Sequence, residues 1–295
     1  MAWEAQKEWT VAVILLYAGN MKKIGIIGLF ILLFTSCNGS EDEIQDTWDV
    51  TVSRATTNGE NIMVIGKKNG NDQLHGILIP STDENTMAQW QGYKPSWPGN
   101  DNLEMFVVSP VPQDSDLPQS INVEDGKTWM VDYLPSTYKP NKFTLEHLMA
   151  KLKVHIRINN NPNHKKPLNT KVSLHTRADI DYPNKGLKNL SGRSSYNVSL
   201  GSFTEDGDTD NWVSDELLIL PQTLERGRKF LRFTVSGGDE YTFTPNEDLV
   251  LQAGKINHLY LGVAFENLEL ILIGNGTSIT DWNDGGSNNG EATEN

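Results

Sequence analysis

The chain contains a single cysteine, Cys37, in 295 residues. One thiol can form neither an internal disulfide nor a closed zinc site, so stability has to come from a buried apolar core. Histidine is scarce and scattered. His75, His147, His155, His164, His175 and His258 form no H-E-x-x-H pair; His147 and His155 would share a face on one strand, but chance placement accounts for them better than metal binding. Cations are outnumbered, 25 Lys+Arg against 38 Asp+Glu, for a net charge of −13. That charge repels nucleic acid and anionic membrane surfaces and excludes both as partners. No G-x-S-x-G, P-loop or G-x-G-x-x-G occurs, so neither an enzyme nor a bound cofactor is expected. The longest apolar run, Ile24–Phe34, is about 11 residues, too short for a bilayer span of roughly 20. Windows with a helical period are few; Met87–Tyr93 and Glu146–Lys153 are the best short candidates.

What surrounds Cys37 is informative. Met21-Lys22-Lys23 precedes the apolar run, and Leu33-Phe34-Thr35-Ser36-Cys37 follows it. This is a basic region, an apolar region and small residues before a break, the layout of a signal peptide. The last five residues resemble a bacterial lipobox, in which the cysteine is acylated. The expected protein is therefore exported and tethered to the outer membrane by lipid on Cys37. The other account is a signal peptide cut elsewhere with an incidental cysteine. Val11–Tyr17 is a separate apolar run, and one helix from Val11 to Phe34 would bury Lys22 and Lys23 at about 3 kcal/mol each. Translation is expected to start at Met21, leaving residues 1–37 outside the fold. Asn38–Glu43 is polar and acidic and reads as a tether; acidic residues just after a lipidated cysteine resemble a lipoprotein surface-export signal.

Beyond the tether, apolar runs are short and bounded by Gly, Pro, Asn or Asp. In Thr47-Trp48-Asp49-Val50-Thr51-Val52-Ser53, Trp48, Val50 and Val52 alternate with polar residues, the period of a half-buried strand. Further candidates are 62–65, 74–79, 103–108, 128–133, 148–158, 171–175, 196–203, 217–220, 230–235, 241–244, 257–265, 268–273 and 277–282. Ser236-Gly237-Gly238-Asp239 is a hairpin signal. Many short strands at near-regular spacing predict an all-β sandwich rather than βαβ units. The polar, proline-bearing stretch 159–167 is the expected boundary, dividing the chain into 55–160 and 166–282, each the size of one sandwich. The Gly/Asn/Glu-rich residues 283–295 are expected to be a disordered tail.

Arg54-Ala55 directly follows the first strand pattern. If residues 47–53 complete the first sandwich, Trp48, Val50 and Val52 each contribute roughly 1.5–3 kcal/mol, and each ladder hydrogen bond about 0.5–1.5 kcal/mol. Losing them would open an apolar trench with two unpaired edges, which a neighbouring subunit's strand could fill. The alternative is that Arg54 is an ordinary exposed arginine and the strand never leaves.

Other constellations have bland readings. Asp206, Asp208 and Asp210 match the opening of an EF-hand loop, but Asn211 replaces the glycine and Leu217 the bidentate glutamate, so a solvated acidic turn is preferred. Ser136-Thr137-Tyr138-Lys139 fits S-x-x-K without the motif's other elements. Trp90, Trp97, Trp129, Trp212 and Trp282 could stack on sugars, but core anchoring is the commoner role. They motivate the rival function, a glycan-binding outer-membrane lipoprotein that does not polymerise.

Several segments in order resemble the fimbrillin family, the Mfa-like lipoprotein pilins of anaerobic Gram-negative bacteria. They are the lipobox, Ser53-Arg54-Ala55-Thr56, Met105–Pro110, Phe143–Leu152, Leu220-Pro221-Gln222-Thr223, Ala253-Gly254-Lys255 and Ile279-Thr280-Asp281-Trp282. The resemblance covers Met21 to about Gly286. It implies two tandem transthyretin-like β-sandwiches and a lipid on Cys37. It implies cleavage at Arg54–Ala55 by an arginine-specific surface protease, loss of strand 47–53 with Trp48, Val50 and Val52, and assembly with other fimbrillin subunits into adhesive fimbriae. A host glycan or protein would be the ligand. A donor strand needs alternating apolar residues near the C-terminus, and 283–295 has none. The donor would then be 268–273 or 278–282, segments equally suited to the second sandwich; a tip or anchor subunit does without one.

Overall fold

The computed structural model describes residues 48–53, 60–81, 86–159, 165–235, 238–264 and 269–282. In the first part run β1 (Thr51–Ser53), β2 (Ile62–Lys68), β3 (Asn71–Ile79), β4 (Gln89–Trp90), β5 (Leu103–Ser109), β6 (Ser120–Asn122), β7 (Met130–Thr137), β8 (Lys142–Thr144), β9 (Glu146–His147) and β10 (Ala150–Arg157). Then come β11 (Pro167–Val172), β12 (Arg177–Asp181), β13 (Gly186–Ser191), β14 (Val198–Ser199), β15 (Phe203–Asp206), β16 (Asp208–Ser214), β17 (Leu217–Ile219) and β18 (Gln222–Leu224). The last are β19 (Leu231–Val235), β20 (Glu240–Phe243), β21 (Leu249–Leu251), β22 (Lys255–Ala264) and β23 (Glu269–Asp281). Helix among the described residues is confined to two single 3-10 turns, Val123–Asp125 and Tyr182–Asn184. The fold is an all-β sandwich.

One sheet has the order β4-β3-β2-β5-β7-β9, with every pair antiparallel. Asn69 and Gly70 both have positive φ, 52° and 80°, and close the β2–β3 hairpin with the twist a two-residue turn needs. Ile62–Ile65 of β2 and Met105–Val108 of β5 are continuous apolar runs because both faces of this sheet are covered there. Ile62, Val64, Met105 and Val107 point into a core shared with Trp48, Val50 and Val52. Met63, Ile65, Phe106 and Val108 point into another, shared with Ala178, Ile180, Tyr182 and Leu220.

The larger sheet has the order β14-β11-β19-β20-β23-β22-β10-β16-β15, with β17 also paired to β10. β10 and β22 run parallel through seven paired residues, Lys151↔Ile256 to Arg157↔Gly262. Ala150, Leu152, Val154 and Ile156 of β10 are buried and the residues between them are not, a period of two. β10 precedes the polar stretch 159–167 and β11 follows it, yet both lie in this one sheet, so no change of sheet occurs at that stretch.

The short sheet β13-β12-β6 joins earlier and later parts of the chain. Beside it, Lys185 reaches Asp132 of β7 at 2.8 Å and Glu146 of β9 at 3.3 Å. Asp132 is buried and also accepts from the backbone N–H of Tyr133 and Thr144. Burial lowers the Lys185 pKa, but the two carboxylates outweigh it and the net shift is upward.

Two expected helical windows are not helices. Met87–Tyr93 contains a bridge to Thr51 and strand β4; Glu146–Lys153 holds β9 and the start of β10. Neighbouring edges provide hydrogen-bond partners that local periodicity does not reveal. His147 and His155 consequently lie on different strands. The separate candidates 268–273 and 277–282 merge into the long β23, whose pairing with β22 shifts between Leu259 and Leu261.

Candidate functional site

The segment Trp48–Ser53 is wedged between two edges of the first core. On one side β1 runs parallel to β8, pairing Thr51↔Lys142, Val52↔Phe143 and Ser53↔Thr144. Thr51 N–H donates to Asn141 O at 2.9 Å, and Leu145 N–H to Ser53 O at 3.4 Å. On the other side Thr51 bridges Met87 in the antiparallel sense, and Ala88 N–H donates to Val50 O at 2.9 Å. The regular ladder covers only Thr51–Ser53 of the strand expected over 47–53. Toward Trp48 the facing chain is Pro140, which has no N–H, after Lys139 at a φ of 41°. Side chains take over there: Trp48 Nε1 donates to Pro140 O at 2.7 Å, and Trp90 Nε1 to Trp48 O at 3.2 Å.

Trp48, Val50 and Val52 are buried, at 3%, 0% and 4% exposure, while Asp49 faces solvent and pairs with Lys94 at 2.8 Å. The Trp48 ring is enclosed by Trp90, Trp97 and Phe143 at centroid distances of 4.9, 5.1 and 6.4 Å. Gly76 makes room for this cluster, since a Cβ there would lie 2.5 Å from the Trp90 ring. The segment behaves chemically as a core strand: alternate side chains fill a trench and the backbone satisfies both rims. Pattern reasoning found its buried residues but not the rims, Met87–Ala88 and Asn141–Leu145. The alternation of Phe143 and Leu145 was the available signal.

Cys37, Arg54 and Ala55 lie outside the described residues, as do Thr47 and residues 283–295. Of the tryptophans considered as sugar platforms, Trp97, Trp129 and Trp212 are buried. Trp90 packs on Trp48; Trp282 stacks on His147 at 4.5 Å and carries Lys151 Nζ at 4.4 Å over its ring. Ser136 Oγ accepts from Asn102 and Lys139 lies over the Tyr138 ring, so the S-x-x-K residues have separate neighbours. The acidic turn closes the β15–β16 hairpin at Gly207, with a φ of 66°. His155 and His258 share a 3.0 Å hydrogen bond, His258 contacts Thr280 Oγ1 at 3.1 Å, and Asp206 lies 3.8 Å from His155. Burial, chiefly, holds both pKa values below the usual histidine range. Among the described residues no group of three or more His, Cys, Asp or Glu could hold a metal ion, and no helix is long and apolar enough to cross a membrane.

A family profile described as fimbrillin-like matches residues 128–282, more than half of the chain. The chain belongs to the fimbrillin-like family. That family is one of fimbrial structural proteins, not of enzymes. The fold of this fimbrillin-like chain is similar to a solved structure of a candidate cell adhesion protein from Bacteroides uniformis, with 16% identity and a TM-score of 0.54, covering 80% of this chain and 98% of that one. A candidate cell adhesion protein from Bacteroides ovatus is similar at 15% identity and a TM-score of 0.51, covering 79% and 96%. The tip fimbrial protein Mfa3 from Porphyromonas gingivalis, solved with a C-terminal truncation, aligns at 11% identity and a TM-score of 0.46, covering 79% and 100%. A search of curated proteins returned no match.

Proposed function

We propose that this chain is a surface-exposed fimbrial subunit, exported as a lipoprotein with its lipid on Cys37 and anchored in the outer membrane. An arginine-specific protease cuts Arg54–Ala55, the segment carrying Trp48, Val50 and Val52 leaves, and a strand from another fimbrillin subunit takes its place. The assembled fimbria supports adhesion to a host glycan or protein. The observation that carries this reading is the burial of those three side chains, immediately before Arg54, between two edges that have no other strand partner among the described residues. Vacating them opens an apolar trench with unpaired backbone on both rims, which favours strand addition over exposure to water.

Both donor candidates, 268–273 and 278–282, overlap β23, which pairs along most of β22. Donating it would strip the central strand pair of the larger sheet. This favours a terminal position, in which the subunit receives a strand and gives none. The experiment is limited digestion of the purified precursor with an arginine-specific protease, followed by N-terminal sequencing and sizing with a polymerising fimbrillin subunit. The expected product begins at Ala55 and joins the other subunit in a complex that survives dilution. A clean cut at Arg54 that leaves both proteins monomeric overturns strand exchange.

A further inference from the structure

The larger sheet contains a second opening, remote in sequence from Trp48–Ser53. Among the described residues, β20 and β23 pair in parallel only at Thr242↔Glu269 and Phe243↔Leu270. Beyond that point the two lines separate. The chain after β20 continues into β21, which pairs with β18 alone, and β23 follows β22 past the register shift at Leu259/Leu261. Between β21 and the far half of β23 lies a cavity of about 290 Å³.

The lining of this cavity suits an extended chain. Leu152, Leu224 and Leu259 are buried side chains at its walls, with Leu249–Leu251 along one side and Thr277–Ile279 along the other. Among the described residues, neither β21 nor Thr277–Ile279 has a second strand partner. Two open edges facing one another beside apolar side chains form a template for an added strand. Val250 and Ile279, at 61% and 44% exposure, border the opening.

Charge indicates what kind of strand fits. Glu247 and Asp248 line the cavity, and no lysine or arginine does. One Asp248 oxygen accepts from Arg226 N–H; Glu247 is exposed. The chain's own residues 283–295 are a poor occupant, with no apolar side chain larger than alanine and with Asp284, Glu291 and Glu294 to meet an acidic rim. We propose that the cleft between β21 and β23 binds an extended segment of another protein, one with alternating apolar side chains and flanking lysine or arginine, as an added strand. The site is present in the uncut chain and does not depend on cleavage at Arg54.

The test uses the intact, uncut protein and a short amidated peptide of alternating valine and lysine, with binding followed by fluorescence anisotropy. Saturable binding that weakens as salt rises is expected. It should fall by about tenfold or more in Ile279→Asp and Val250→Asp, where added negative charge and lost apolar contact act together. Both positions are exposed, so an unchanged urea midpoint verifies folding. A counterpart peptide with glutamate in place of lysine should bind about tenfold more weakly or worse. Absence of saturable binding overturns the proposal, as does equal binding of the two peptides or binding insensitive to both substitutions. Self-association of the peptide-free chain that Ile279→Asp abolishes would make a second copy the occupant and overturn it as well.

Discussion

Replacing Trp48 by alanine in the uncut chain tests the energetic core of the candidate site. The ring is 3% exposed and lies among Trp90, Trp97 and Phe143. Its Nε1 supplies the hydrogen bond to Pro140 O. Truncating a ring so enclosed costs about 3–5 kcal/mol, because the surrounding side chains collapse only in part. A whole domain holds about 5–15 kcal/mol, so W48A removes a large share. With a urea slope of about 2–3 kcal/mol per molar, the midpoint should drop by about 1–2.5 M. Tyr93→Ala, at a ring 83% exposed, serves as the control and should stay within about 0.5 kcal/mol. Equilibrium unfolding followed by tryptophan fluorescence and circular dichroism measures both. A loss below about 1 kcal/mol for W48A would refute the claim that this segment is part of the folded core. The same substitution carries a second reading. In protein cut at Arg54 and separated from the released segment, wild type and W48A should unfold identically.

Lys185→Met should destabilise the chain by about 2–4 kcal/mol, less than breaking a fully buried pair, because the lysine end is partly solvated. It leaves Asp132, whose side chain is 3% exposed, with only its two backbone donors. Urea unfolding reads the loss, and Asp132→Asn combined with Lys185→Met should recover part of it. Stability should also depend on pH through His155 and His258. Their folded pKa values lie below the usual 6.5, so between the two values the unfolded chain binds more protons. Stability is full above about pH 6.5, falls as pH drops through the depressed folded values, and levels below them. His155→Gln should flatten that slope; urea midpoints measured across the range that do not move in wild type would contradict the account.

Alternation made much of the architecture readable. Ala150, Leu152, Val154 and Ile156 announce a strand with one buried face, and Trp48, Val50 and Val52 do the same in a much shorter stretch. Asn69-Gly70 was a hairpin signal available in the sequence. β12, β13 and β16 were not anticipated, because Asp, Lys, Asn and Arg break up the apolar pattern of their sequences and their partners, not their composition, hold them extended. Glu146–Lys153 reads equally as one helical turn or as the start of a strand. The parallel partner β22 decides between them, and it lies about a hundred residues away in the chain.

Composition and short-range pattern by themselves determined the class of this protein: all-β, acidic, with one cysteine and so no internal disulfide to staple it, and with an alternately apolar segment ahead of Arg54. Tertiary structure decided which edges receive that segment, Met87–Ala88 on one side and Asn141–Leu145 on the other, and where a second pair of edges stands open between β21 and β23. The division follows from geometry. Side-chain alternation is set by the backbone of a single strand, whereas a strand's hydrogen-bond partner is whichever distant segment the buried core brings to its edge.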